Sequence, residues 1–130
     1  QPQRVARAVA LNGRVAAVWT PTLVQRGWVP VTRAFLEAYP RLHITASEAL
    51  LLINLLAYKG RKEHAHPSIA TLARRLGVEP RTVRNLARKL ENRGLLLRII
   101  RRQGHGRAQT NLWDLSPLFQ RLEELESERR

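Results

Sequence analysis

The segment from Pro67 to Gly94 constrains the fold of this chain more than any other. Apolar residues recur in it at helical spacing, first at Ile69, Leu72, Ala73 and Leu76, then at Val83, Leu86, Ala87 and Leu90. Between the two sets, Gly77 gives the backbone freedom that a sharp reversal needs, and Pro80 suits the first turn of a new helix. The segment therefore predicts two short helices, each with one buried face, joined by a tight turn.

The outer face of the second helix is cationic. The residues turned away from its apolar positions are Arg81, Thr82, Arg84, Asn85, Arg88 and Lys89. This helix is predicted to pack with one side and to present positive charge on the other.

Positive charge is concentrated around the same segment. The chain of 130 residues has a net charge of +13, and Arg61 to Arg107 contains thirteen Lys or Arg against three Glu. A local field of this sign favours a polyanionic partner, and nucleic acid is the first candidate. A general arginine bias, with twenty Arg against three Lys, explains the pattern less well because it would not remove acidic residues from one block.

The spacing of Ala73, Gly77 and Val83 resembles the helix-turn-helix of DNA-binding proteins, whose second helix enters the major groove. After Gly94 the pattern changes to a β-prone run over 95–101, a glycine-bearing turn over 102–109 and a returning strand over 110–115. A helix-turn-helix followed by such a hairpin is the winged-helix arrangement. The predicted fold class is therefore mainly α with a small β-hairpin wing.

The segments before the helix-turn-helix predict its packing partners. Thr32 can cap a helix that runs to Tyr39, and Thr45 with Glu48 forms a capping box that opens an apolar helix over 46–59. Gly60 ends that helix, which we expect to be the buried scaffold. The winged-helix domain is thus assigned to residues 28–115.

The two ends of the chain are assigned to appended elements. Residues 1–27 form an N-terminal arm, either a hairpin that turns at Asn12-Gly13, which we prefer, or a helix capped by Gly13. Residues 116–130 form a C-terminal helix, with Ser116 as its cap and Pro117 at its first position. Its apolar stripe folds back on the domain or pairs with a second copy, so both ends are candidate contacts of a homodimer.

Residues 27–60 and 66–96 also resemble the N-terminal domain of DnaD-type primosomal proteins and the helix-turn-helix domains of plasmid and phage replication initiators, and residues 114–122 resemble the segment that follows the wing in these proteins. The resemblance implies a role in replication initiation, with replication-machinery proteins as partners. Transcriptional repressors share these motifs, so repression is the alternative. An alternative of another class is a winged-helix module for oligomerisation or protein interaction.

Duplex DNA is accordingly the predicted partner, bound by a recognition helix over 80–93 and by the basic wing. The predicted base-contacting residues are Arg81, Thr82, Arg84, Asn85 and Arg88. The predicted phosphate-contacting residues are Ser68, Arg74, Arg75, Lys89 and the wing residues Arg101, Arg102, His105 and Arg107.

Other chemistries find little support in the sequence. There is no cysteine, and the loop histidines His64 and His66 have no accompanying acidic cluster, so we predict neither a metal site nor a cofactor. No nucleophile motif is visible, and an enzyme is not expected. The longest apolar stretch is far shorter than the roughly twenty residues of a membrane span. A cytoplasmic protein without membrane contact is the expectation.

Overall fold

The computed structural model describes residues 11–60, 64–103 and 107–129, and for 101–103 and 107–111 it describes the backbone alone. The chain divides after Pro30 into two compact units, Gln1–Pro30 and Val31–Arg130.

The described part of the first unit contains two helices. Helix α1 covers residues 11–18, and the short helix α2 (Pro21–Val24) begins at Thr20, whose hydroxyl accepts from the Leu23 N–H at 3.2 Å. The predicted hairpin is wrong, because Trp19 N–H donates to Val15 O at 3.0 Å in a helical bond. Gly13 lies inside α1, so the cap predicted for the alternative is wrong as well. The helix propensity of the alanines outweighs the Asn-Gly turn signal here.

The second unit begins with the two capped helices that the sequence predicts. Helix α3 (Arg33–Ala38) has Thr32 as its N-cap, and α4 (Ala46–Lys59) opens with the complete Thr45–Glu48 capping box. The buried residues of α4 include Leu51, Leu52 and Leu55, which have no exposed surface. The prediction that α4 is the buried scaffold is confirmed, since it contacts both helices that follow.

Those two helices are α5 (Ile69–Leu76) and α6 (Pro80–Asn92). Gly77 ends α5 in the left-handed region, at φ 70 and ψ 35, and the Val78 N–H donates to Ala73 O at 3.0 Å. This is the hydrogen-bonding pattern of a glycine C-cap, which lets the chain reverse within three residues. Pro80 then stands at the start of α6, as predicted.

An antiparallel hairpin follows α6. Its strands are β1 (Leu97–Gln103) and β2 (Arg107–Asp114), with Arg98 opposite Trp113 and an irregularity between Ile100 and Arg102. Strand β1 begins two residues later than predicted because Leu95 and Leu96 are buried in the core instead of entering the ladder.

A short extended segment pairs with the other edge of β2. Ala65 forms an isolated bridge with Trp113, through hydrogen bonds of 3.2 and 2.9 Å between their backbones. The Trp113 indole N–H donates to Pro67 O at 3.0 Å, and its side chain is completely buried. The base of the hairpin is therefore held to the segment that leads into α5.

Helix α7 (Ser116–Glu128) closes the second unit and packs on α3. Leu118 and Leu125 are buried, so the apolar stripe folds back on its own unit. The predicted Ser116 cap is wrong, since Leu115 holds the N-cap position. Asp114 takes over the capping role by accepting from the Ser116 hydroxyl and N–H at 2.6 and 2.9 Å. None of the described helices combines the length and hydrophobicity that a bilayer crossing requires.

Candidate nucleic-acid interface

The interface is built on helix α6, which has buried apolar residues on one face and polar residues on the other. Val83, Leu86, Ala87 and Leu90 are buried against the rest of the second unit. On the opposite side, Asn85 is half-buried, and the other polar positions are exposed, namely Arg81, Thr82, Arg84, Arg88 and Lys89. All five predicted base-contacting residues therefore lie on the side of α6 that faces away from the core.

Two of these residues contact each other. The Arg88 Nη2 group donates a hydrogen bond to Asn85 Oδ1 at 2.9 Å, across one turn of the helix. The sequence places them three residues apart, a spacing at which side chains on a helix are neighbours. Their pairing fixes the direction in which the Asn85 carboxamide presents its donors and its acceptor.

Helix α5 and its N-cap contribute three of the predicted phosphate-contacting residues, Ser68, Arg74 and Arg75. Ser68 caps the helix by accepting from the Thr71 N–H at 3.1 Å, so its hydroxyl has a structural role. Arg74 is exposed and donates to the Thr71 hydroxyl at 3.3 Å.

The neighbouring Arg75 is oriented by helix α4. Its Nε donates to the Tyr58 hydroxyl at 3.1 Å, and its guanidinium lies 5.5 Å from the centre of the Tyr58 ring. A guanidinium has five N–H donors, so the remaining ones stay available to a phosphate.

Arg93 lies within the positively charged segment from Arg61 to Arg107, but its charge is paired inside the protein. Its guanidinium pairs at 2.6 Å with Glu48, which is completely buried. Burial raises the pKa of the Glu48 carboxyl, but hydrogen bonds from the Thr45 N–H and from Arg93 outweigh it, so the pKa lies below its ordinary value.

Arg98 is also paired inside the protein. It forms an ion pair at 3.1 Å with Glu91 of α6 and lies 5.6 Å from the centre of the Trp113 indole in β2. Arg98 thus connects the last turn of α6 with the base of the hairpin. Sequence reasoning missed both pairs, because Glu48 and Arg93 are 45 residues apart and the register of β1 is needed to place Arg98.

The predicted wing contacts fall in the part of the hairpin where side chains are not described. Arg101 and Arg102 lie in β1 and Arg107 begins β2, whereas His105 lies outside the described residues. Their roles stay predictions.

His64, one of the two loop histidines, lies beside Asp114 at the C-terminal end of β2. His64 Nε2 is 3.8 Å from Asp114 Oδ2. A hydrogen bond from the Ser116 hydroxyl is the main cause that holds the pKa of Asp114 below its ordinary value, against the effect of burial. Nowhere in the described ranges do three His, Cys, Asp or Glu side chains come close enough to share a metal ion.

Comparison with known proteins agrees with this geometry. Residues 42–96, which include α4, α5, the turn and α6, match the family model of a helix-turn-helix domain. The chain is similar to the crystal structure of the N-terminal domain of the DnaD protein from Geobacillus kaustophilus HTA426. The TM-score is 0.62 at 21% identity, over 89% of this chain and 91% of that one. The fold is a winged helix-turn-helix.

In these terms, α5 and α6 are the helix-turn-helix, α6 occupies the position of the recognition helix, and β1 with β2 is the wing. The predicted fold class is confirmed. A further similar structure is the S. aureus MepR–DNA complex, with a TM-score of 0.49 at 21% identity over 75% of this chain and 79% of that one. Comparison with curated protein sequences finds no match.

Proposed function

We propose that this protein binds duplex DNA by placing the recognition helix α6 in the major groove. The observation that carries the proposal is the exposed face of α6, where four cationic side chains project from the helix surface opposite its buried apolar stripe. The four are Arg81, Arg84, Arg88 and Lys89. An α-helix fits the major groove of B-DNA, and a cationic face is attracted to its phosphates.

Within this proposal, the residues of the helix-turn-helix and the wing have two kinds of role. Arg81 and Arg84 lie in the first turns and read base edges, since arginine can bind guanine O6 and N7 with two hydrogen bonds. Arg74, Arg75, Lys89 and the wing arginines hold phosphates, which fixes the register of the protein on DNA without reading sequence. Arg93 and Arg98 are left out of both groups because their charges are paired with Glu48 and Glu91.

The salt dependence of binding tests the proposal as a whole. If about six phosphates are neutralised, log K should fall against log salt with a slope near −5. Fluorescence anisotropy with a labelled duplex between about 50 and 200 mM salt measures this slope. Binding that does not respond to salt would refute a phosphate-based interface.

Single substitutions test the division of roles. Arg84→Ala should weaken binding and relax specificity at one base position, at a cost of about 1 to 3 kcal/mol. Arg107→Ala should weaken binding to all sequences alike and reduce the salt slope by about 1. Arg41→Ala is the matched control, because Arg41 is exposed beside α7 and lies on neither helix of the helix-turn-helix. Identical effects of Arg84→Ala and Arg107→Ala across a set of sites would contradict the two roles.

The finer role that we propose is replication initiation, and it rests on the sequence resemblance of residues 27–60, 66–96 and 114–122 to replication proteins. Transcriptional repression is the alternative, and no enzymatic activity is proposed. Selection of binding sites from random duplexes yields the target sequence, and a palindrome would also reveal a dimer through its half-site spacing. Target sites clustered in a replication origin support initiation, whereas sites overlapping promoters support repression.

The competing class of function is a module for protein assembly. Gel filtration of a variant with Arg81, Arg84 and Arg88 changed to Gln separates the two classes. If the protein acts by binding DNA, the variant should no longer elute at a larger size when DNA is added. If it acts as an assembly module, the variant should keep both its oligomeric state and its function.

A further inference from the structure

The internal hydrogen bond on the recognition helix bears on which base the protein reads. A neutral asparagine side chain offers one acceptor and two donors, and on a recognition helix it usually reads adenine, which presents the N7 acceptor and the N6 donor. That reading uses the Oδ1 acceptor of the asparagine. In this structure Asn85 Oδ1 already accepts from Arg88 Nη2 at 2.9 Å.

We propose that Asn85 and Arg88 act as one reading unit that presents only donors and therefore selects guanine. With Oδ1 held by Arg88, the carboxamide has its two Nδ2 hydrogens to offer, and the guanidinium has four of its five N–H groups left. Guanine presents two acceptors in the major groove, O6 and N7, so it matches such a surface. This inference rests on the proposed binding of α6 in the major groove.

Adenine fits the same surface poorly. Its N6 amino group is a donor, and to reach the second lone pair of Asn85 Oδ1 it would have to lie beside the N–H groups of a cation. Either the adenine amino group is left unpaired or the bond between Asn85 and Arg88 has to break. The bond is charge-assisted, because the guanidinium carries the positive charge, and such bonds are stronger than neutral ones.

The positions of Asn85 and Arg88 on α6 favour a lasting hydrogen bond between them. Asn85 is half-buried and Arg88 is exposed, and both are anchored on a helix whose opposite face is fixed by Leu86 and Ala87 in the core. Arg84, by contrast, forms no hydrogen bond or ion pair among the described residues. Arg84 is therefore a suitable control, since it lies on the same face of the helix without belonging to the pair.

The test is selection of sites from random duplexes with the full chain, followed by anisotropy measurements on single-base variants of the selected site. The position read by the pair is the one at which Asn85→Ala abolishes discrimination. The wild-type protein should require guanine there, and replacement by adenine or by 7-deazaguanine, which lacks N7, should weaken binding about fivefold or more. Inosine keeps O6 and N7 and should bind like guanine.

The decisive variant is Arg88→Ala. It frees Asn85 Oδ1, so the preference at this position should shift from guanine towards adenine, by about fivefold or more in the ratio of the two affinities. Arg84→Ala should leave the preference at this position unchanged. Both residues are on the surface, and equal melting temperatures of the variants verify that folding is unaffected.

Two results would overturn the inference. One is an unchanged base preference in Arg88→Ala, and the other is wild-type selection of adenine at the position that Asn85→Ala affects. Salt-dependent duplex binding with either result leaves the proposed function intact, whereas absence of duplex binding removes both.

Discussion

Glu48 has a structural role that the sequence alone does not predict. It is the N3 residue of a capping box, a position that is ordinarily solvated, yet among the described residues it is a charged side chain with no exposed surface. One of its oxygens accepts from both the Thr45 N–H and the Arg93 guanidinium. A single carboxylate thus fixes the start of α4 and the end of α6.

Replacing Glu48 by Gln should destabilise the protein by about 2 kcal/mol, because the substitution leaves Arg93 without a charged partner in a partly buried site. Urea denaturation measures the change. Glu124→Gln is the matched control, since the ion pair between Glu124 and Arg121 is exposed and should be worth less than about 1 kcal/mol. Equal effects of the two substitutions would show that the buried pair adds nothing.

The same carboxylate makes stability depend on pH. Because its pKa is lower in the folded protein than the ordinary value of 4.5, its contribution is fully present above pH 4.5. The contribution is lost as the pH falls through the lowered folded pKa. The difference in unfolding free energy between wild type and Glu48→Gln should therefore be constant from pH 7 to pH 5 and shrink in more acidic buffers. A difference that grows on acidification would contradict the direction of the pKa shift.

At the scale of elements, the turn between α5 and α6 depends on the backbone of Gly77. Its φ of 70 lies in the left-handed region, and a Cβ placed there would meet no neighbouring atom within 4 Å. Gly77→Ala should therefore cost about 1 kcal/mol through backbone strain alone. Gly77→Asn should cost less, since asparagine tolerates this conformation. Thermal melting of the two variants checks this order.

Gly13 provides a contrast to Gly77. It lies inside α1, with no positive φ and open space around it. Alanine at this position should favour the helix by up to about 1 kcal/mol. The same exchange is thus predicted to have opposite signs in the two helical contexts, which circular dichroism of the two variants can compare.

The elements differ in how far the sequence predicts them. Helices α4, α5 and α6 were predictable because caps and apolar periods agree there, at Thr45, Ser68, Gly77 and Pro80. The start of β1 was not, because a run of leucines is equally compatible with core and strand until tertiary packing buries Leu95 and Leu96. The bridge at Ala65 could not be foreseen, since a single pairing leaves no periodic pattern.

The candidate site was predictable to a similar extent. Helical periodicity alone identifies which side chains of α6 face away from the core. It does not reveal which charges are already paired, because those pairs join residues distant in sequence, as with Arg75 and Tyr58 or Arg93 and Glu48. Three-dimensional contacts were needed to separate structural arginines from those available to a ligand.

At the scale of the whole molecule, the division after Pro30 predicts an independent folding unit. All residues of the main hydrophobic core lie between Phe35 and Leu118, and no described residue of the first unit is buried. A chain that begins at Val31 should therefore fold cooperatively and melt within about 5 °C of the full chain, a shift of roughly 1 kcal/mol. Loss of a cooperative transition would show that residues 1–30 are needed for the core.

Self-association through the first unit stays a prediction, and the exposed apolar side chains of that unit are its basis. Val18, Trp19 and Leu23 are 81%, 67% and 58% exposed, and large apolar side chains at a surface are available to a protein contact. We expect the full chain to form a dimer in light-scattering measurements and the chain that begins at Val31 to remain a monomer. Equal masses for both would exclude these residues from the contact.

Because Trp113 is buried, its intrinsic fluorescence reports on the structure around the base of the wing. Its indole is shielded at the base of the wing, with Pro67 O on its N–H and Arg98 against its ring, while Trp19 is largely exposed. After replacement of Trp19 and Trp28 by Phe, the remaining emission should be blue-shifted and resistant to quenching by iodide. A separation of the wing from the recognition helix would then shift the emission maximum of Trp113. Stopped-flow fluorescence could follow this shift without an added label.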